Sequence, residues 1–401
     1  MRGSYGEVGN DQIGGDRFLY LPSSYGAASD SGVNKYNFGL ASNPYTSLMI
    51  VENKIGNPDL TWEKAKKMNV GVDINLFNNC LTASFDIFKE KRNNILANRS
   101  TSPMIIGANL PAYNFGEMEN RGWEMDLNFR HHIQDFHYWA RFNYSFARNE
   151  IIYMDEVQKR YDYQMTTGRR KNQFFGLIFD GYYNSWEEIN ALDRPKSSWS
   201  GNQLQPGDVK YVDVNQDGVI DDYDMVPIGY TPVPEIIYGF SFGAQYKGFD
   251  FSILFQGADN VSIKYFGRSM WPFAKGEESA KSLIKERWTQ ERSEAGEKIT
   301  FPRLSLNPNG ETDHNYRPST LWIRDASYLR LKNLEVGYTF TGGFVKRLNL
   351  NSVRLYFNGS NLFTWTDVVD LDPEAPSRSG NVEINTYPLQ KVYNIGLNIN
   401  F

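Results

Sequence analysis

Alternation of apolar and polar side chains, with a period of two, runs through this chain and limits what it can fold into more than any other feature. It is clearest at Val392–Phe401. Tyr393, Ile395, Leu397, Ile399 and Phe401 fall on one face; Asn394, Gly396, Asn398 and Asn400 fall on the other. Successive residues of a strand point to opposite faces, so each such segment is a strand with one apolar and one polar side. The pattern recurs. Met68, Val70, Val72, Ile74 and Leu76 alternate with Asn69, Gly71, Asp73 and Asn75, and Leu81, Ala83, Phe85 and Ile87 with Thr82, Ser84 and Asp86. Trp123–Phe129, Tyr138–Phe146, Tyr238–Tyr246, Phe249–Phe255 and Val353–Phe357 follow the same rule, although Trp139 sits on a polar side. The strand at Leu329–Phe340 changes phase near Asn333, as a β-bulge would make it do.

The two faces carry different information. Asp73, Asp86, Glu124, Asp126, Arg130, Arg141 and Arg354 lie on the polar side, which suits bulk water or a wet lumen equally. No Asp, Glu, Lys or Arg interrupts the apolar positions. A charge facing lipid at mid-bilayer costs roughly 2–4 kcal/mol, so this is the pattern of a transmembrane barrel. Composition agrees: Phe 26, Tyr 25 and Trp 9 make up 15% of the 401 residues. Yet no apolar run approaches the roughly 18 residues of a spanning helix.

Connections between the strands are asymmetric. Asn78-Asn79 and Lys247-Gly248 are expected to be two-residue hairpin turns. Long polar stretches at roughly 90–120, 150–232 and 260–320 separate the pairs, with helical segments expected at Ser185–Leu192 and Ser279–Trp288. Short turns on one side and long loops on the other match the periplasmic and extracellular ends of an outer-membrane barrel.

One constellation carries chemistry. Asp213, Asn215, Asp217, Val219, Asp221 and Asp224 occupy positions one, three, five, seven, nine and twelve of a calcium-type loop, with Gly218 at the bend and Ile220 as its apolar anchor. The expectation is a structural Ca²⁺ in a loop insertion spanning residues 205–230. An Asp/Asn-rich turn that satisfies its own amides stays open as the alternative. Asp224 is shorter than the usual bidentate Glu, which predicts weak affinity.

Other classes find little support. The net charge is −5, so nothing points to nucleic acid. Cys80 is the single cysteine, which excludes an internal disulfide framework and a cysteine zinc site. His131, His132, His137 and His314 read as turn or interface residues. No nucleotide-binding or hydrolase motif is present, and the acidic pairs Glu187-Glu188 and Glu277-Glu278 read as solvated loop faces, so no enzyme is expected.

Five segments together resemble the SusC/RagA-type TonB-dependent outer-membrane transporters. They are Asn57–Lys64, Gly207–Tyr211 running into the Asp213 loop, Arg324–Asn333, Asn361–Trp365 and the terminal strand ending at Phe401. The resemblance implies an all-β, antiparallel transmembrane β-barrel, of which residues 1–401 would be the C-terminal part, about half of a barrel of about 22 strands. The family's signal peptide, TonB-contacting segment and plug have no counterpart here, so an upstream truncation is expected. Expected partners are a SusD-like surface lipoprotein, the TonB energy-coupling system, outer-membrane lipid and an oligosaccharide or peptide ligand. Tyr182, Tyr183, Trp186, Trp199 and Trp271 are candidates to stack on that ligand, or else to pack the loops. Two other readings remain open. One is a small passive barrel closed by pairing Arg2–Gly9 with Val392–Phe401. The other is a secreted, calcium-dependent, carbohydrate-binding β-sandwich.

Overall fold

The computed structural model describes residues 1–401 apart from 12–18, 22–25, 28–34, 41–44, 49, 52–54, 102–109, 200–203, 266–270, 274–281, 306–312, 370, 375–380 and 383–388. Its main element is one ten-stranded antiparallel sheet. The wall strands are β1 (Arg2–Asn10), β2 (Glu63–Leu76), β3 (Leu81–Ala97), β4 (Tyr113–Ile133), β5 (Phe136–Tyr153), β6 (Ile236–Tyr246), β7 (Phe249–Asp259), β8 (Tyr328–Phe340), β9 (Ser352–Thr366) and β10 (Val392–Asn400). Each pairs with its neighbours in chain order, so the sheet is an up-and-down meander.

Register turns the sequence alternation into continuous rows. Ile74, Ala83, Leu127, Phe142, Phe240, Phe255, Leu331 and Phe363 are successive cross-strand partners from β2 to β9. The adjacent row, on the other face, is Asp73, Ser84, Asp126, Asn143, Gly239, Gln256, Arg330 and Thr364. The outer face has no second layer against it: Met68 is 50% exposed, Ile87 56% and Leu397 57%. The Phe- and Tyr-bearing surfaces therefore do not press together, and the sandwich reading fails on this point. The passive-barrel reading fails on another. β1 pairs only with β2, and β10 only with β9, so the sheet's two edges do not meet.

Turn chemistry closes one end of the wall. Asn78 and Asn79 have φ of 54° and 65°, and the Cys80 N–H donates to the Phe77 carbonyl at 3.1 Å. Lys247 and Gly248 link β6 to β7 with φ of 44° and 90°. Gln134-Asp135 is also a two-residue hairpin, between β4 and β5, with no distinct sequence signal, whereas Asn78-Asn79 lie at the centre of a four-residue connection, 77–80, between Leu76 and Leu81. At the same end, α3 (Gly343–Arg347) joins β8 to β9. The bulge expected in β8 falls at Lys332, beside Asn333.

The long connections leave the opposite end; the stretch expected from 260 begins there, after β7 ends at Asp259, whereas those expected from 90 and 150 begin later, after Ala97 and Tyr153. About half of the polar stretch placed at 90–120 is strand, because β3 runs to Ala97 and β4 starts at Tyr113. Backbone pairing continues into water, where an apolar face is no longer required. Outward positions there become cross-strand ion pairs, Lys89–Glu119 and Lys91–Glu117, both at 2.9 Å. The helices expected in the loops are shorter than predicted. α1 covers Trp186–Ile189, capped by the Ser185 side chain, and a single 3₁₀ segment covers Ser282–Glu286, followed by α2 (Gln290–Glu294). Residues 277–281 lie outside the described set.

The hydrophobic core is not in the sheet. It lies among the long loops, where Leu177, Val209, Tyr211, Ile263, Phe301, Tyr316 and Trp322 form one buried cluster. Phe301 and Trp322 meet edge-on at 5.4 Å, and Tyr316 lies 5.3 Å from Trp322.

Candidate functional site

Two surfaces can meet a passing solute: the polar face of the wall and the loop layer above it. On the wall, glycines leave room for charged girders. Arg354 on β9 reaches Asp250 on β7 through Nε at 3.0 Å and Glu335 on β8 at 2.6 Å. Gly337 lies under this cluster, and a Cβ there would fall 2.7 Å from both Arg354 and Asp250. Arg2 joins Asp73 at 3.2 Å and also Asp86, over Gly71. Trp139, the aromatic that broke the alternation, lies over Gly243, its cross-strand partner on β6. The missing side chain opposite makes room for the indole on the polar face.

A polar network threads the loop core. Asp208 accepts from Asn315 Nδ2 at 2.7 Å and pairs with Arg303 Nε at 2.6 Å, while Asn315 Oδ1 accepts from the Val209 N–H at 2.9 Å. His314 lies 2.7 Å from the Val209 carbonyl through Nε2 and 2.9 Å from Ser197 Oγ through Nδ1. A carbonyl only accepts, so Nε2 carries the proton, and Nδ1 accepts from the serine. Burial holds the imidazole's pKa below the ordinary value, which favours the neutral ring in which Nδ1 accepts. Burial likewise pushes the Tyr211 phenol up; its hydroxyl donates to the His314 carbonyl at 2.7 Å. Gly207, at φ 90°, passes so close to Trp288 that a Cβ would lie 2.4 Å from the ring.

The loop layer is also tied to the wall. Arg330 on β8 is 2% exposed and donates to Asp372 Oδ1 at 2.7 Å, with Glu374 at 3.4 Å. Burial works against the Asp372 carboxylate, but the bond from Arg330 and two backbone N–H groups hold its pKa below the usual range. Sequence reasoning missed Arg330. Its only trace was an arginine in a strand and two acids some forty residues downstream, which no local pattern joins.

The calcium-type loop folds around its own amides. Asp213 accepts from the N–H groups of Gln216 at 2.7 Å and Gly218 at 2.8 Å; Asn215 accepts from Asp217 and Asp217 from Val219. Asp221 caps Tyr223, and Asp224, fully buried, accepts from Val214 at 2.8 Å and Asp221 at 2.9 Å. Burial raises the Asp224 pKa, the surrounding amides lower it, and Asp213 raises it further. Ile220 lies in the loop core. Among the described residues no group of three or more acids, histidines or cysteines is arranged to hold a metal ion. The carboxylates nevertheless keep lone pairs beyond those the amides use, so the donor set fits a hard cation in chemistry.

The candidate stacking residues separate by burial. Tyr182 and Tyr183 are 8% and 6% exposed, and both belong to packed clusters. Of the two roles left open for them, stacking on ligand or packing the loops, their burial favours packing. Arg317 covers Trp199 at 4.1 Å, and Trp271 packs against Tyr316 at 6.0 Å. Trp186, 57% exposed on α1, is the member of the set that stays open.

An antiparallel wall with an apolar outside, a charged inside and all its long loops at one end defines an outer-membrane β-barrel protein. The family described as "TonB dependent receptor-like, beta-barrel" matches residues 2–362, and the chain belongs to it. Among curated relatives, TonB-dependent receptor P3 of Formosa agariphila is 28% identical over 419 residues, covering 100% of this chain and 39% of that protein. TonB-dependent receptor SusC of Bacteroides thetaiotaomicron is 26% identical over 407 residues, covering 100% of this chain and 37% of SusC. In fold, the chain superposes on a structure of the RagAB peptide transporter with a TM-score of 0.69 at 24% identity, covering 99% of this chain and 40% of that one. The chain thus spans about two fifths of the length of these relatives.

Proposed function

We propose that this chain forms the C-terminal wall and part of the extracellular mouth of an energised nutrient importer. One observation carries the reading most directly: a charged, glycine-spaced face lies on one side of a lipid-facing wall, under a layer of loops that has its own core. Such a layer holds a binding surface in place over a wet lumen while the apolar exterior anchors it. The ligand class is an oligosaccharide or a peptide, met by exposed loop aromatics such as Trp186 and by lumen polar groups. A SusD-like lipoprotein would cover the loops, and the TonB system would supply energy through a plug held elsewhere in the protein. The names of SusC and of the RagAB peptide transporter are consistent with this reading.

A strain lacking the gene for this chain tests it. Uptake of labelled oligosaccharides or oligopeptides should fall and return on complementation; unchanged uptake of both would exclude importer function for these classes. Within this reading, the Asp213 loop takes Ca²⁺ as an ordering ion. Calorimetric titration of EDTA-treated chain should show weak binding that D213A/D217A abolishes, and no heat above buffer would leave the loop as a self-satisfied turn.

A further inference from the structure

On the outer face of β4 and β5, just above the apolar band, lies a pocket completed by the loop residues Gln173, Pro227 and Gly229. Trp123 and Tyr144 stack there at 4.8 Å, and Phe146 is the register partner of Trp123. One row further toward the loops, with the same side-chain parity, the next outward pair is Arg121 and Arg148. The segment after β5 then folds back along it: the Ile151 N–H donates to the Arg169 carbonyl and the Gly168 N–H to the Ile151 carbonyl, both at 2.8 Å. That return brings Arg169 and Arg170 to the same place. The four arginines line a cavity of about 400 Å³ that also includes Glu150.

The charges are unequal. Glu235, 4% exposed, clamps Arg148 at 2.7 Å and Arg170 at 2.5 Å. Arg121 has Glu150 only at 4.0 Å, and the Arg169 guanidinium has no ion-pair partner among the described residues. Two arginines are therefore fixed and two have donors to spare. Guanidinium forks match phosphate oxygens in pairs. A row directly above interfacial aromatics stands at headgroup height in a barrel. We propose that this pocket binds a phosphate carried by a lipid of the outer leaflet, with Arg121 and Arg169 meeting the phosphate and Glu235 holding Arg148 and Arg170 in position. The inference uses the lipid-facing orientation of the wall and is independent of what the lumen transports.

The test is native mass spectrometry of the full-length protein that carries this chain, in detergent micelles, titrated with monophosphoryl lipid A. A phosphate-free glycolipid with matching acyl chains and inorganic phosphate are the comparison probes. The phosphorylated lipid should bind in preference to both. R121Q/R169Q, which leaves the Glu235 clamp intact, should weaken binding at least tenfold, and E150Q, which removes an opposing acid, should tighten it. Equal retention of the phosphate-free glycolipid would overturn the site while leaving the membrane reading intact. Inorganic phosphate competing at equal concentration would overturn the lipid source. Unchanged binding in both variants would overturn the assignment of the arginines.

Discussion

The wall and the loop layer use the same aromatic residues in opposite ways. In the loops, Phe301, Tyr316 and Trp322 are buried against one another, and their area removed from water stabilises a conventional core. In the wall, Phe142, Phe240 and Phe255 follow each other across neighbouring strands and meet no second protein layer. The loop aromatics depend on protein to cover them; the wall aromatics depend on lipid. One chain therefore holds two solvent regimes. Position in the topology separates them.

Substitutions that treat both regions alike should expose the difference. Trp322→Ala should cost the loop layer about 3–5 kcal/mol, as for other buried large-to-small changes, whereas Ile87→Ala on the outer wall should cost under about 1 kcal/mol. Urea unfolding of the chain in micelles, followed by near-UV circular dichroism, compares them; equal losses would break the distinction. Leu127→Arg should reverse the ranking in a bilayer. It should cost roughly 2–4 kcal/mol of insertion, seen as a lower heat-modifiable folded fraction, while Asn128→Arg on the lumen face should change little.

Arg330→Ala would strand the Asp372 carboxylate, a loss of about 3 kcal/mol for a buried pair with one partner removed. It should loosen the tie between loop and wall without melting the sheet, which hydrogen exchange at residues 366–374 would report. The smallest effect is pH-dependent. The pKa of His314 is held below the ordinary 6.5, mainly by burial. Its contribution is therefore complete above about pH 6.5 and is lost as pH falls from there toward the folded-state value. The loop layer should weaken between pH 7.5 and 5 while the wall does not, and H314Q should flatten that dependence.

How much was legible in the sequence follows from where each signal resides. The wall's facing was readable residue by residue, because a strand's period of two is local and lipid tolerates no charge on the outer positions. The turns at Asn78-Asn79 and Lys247-Gly248 were legible for the same reason: positive φ restricts residue choice at the site itself. Strand ends were not. Above the bilayer, pairing continues without an apolar face, so β3 and β4 ran past the point where alternation stops. The burial of Tyr182 and Tyr183 was equally hidden, because a loop tyrosine looks the same in sequence whether it packs or waits for a ligand.

The sequence by itself determined the class of fold, the inward and outward faces of the wall and the spacing of a calcium-type loop. Only the tertiary structure decided that the core lies in the loops, that Arg330 fastens them to the wall, and that Arg121, Arg148, Arg169 and Arg170 share one pocket. The physical reason is range. Side-chain period and turn conformation act over a few residues, while burial and charge clustering depend on segments far apart in the chain that meet only once the sheet has set their heights.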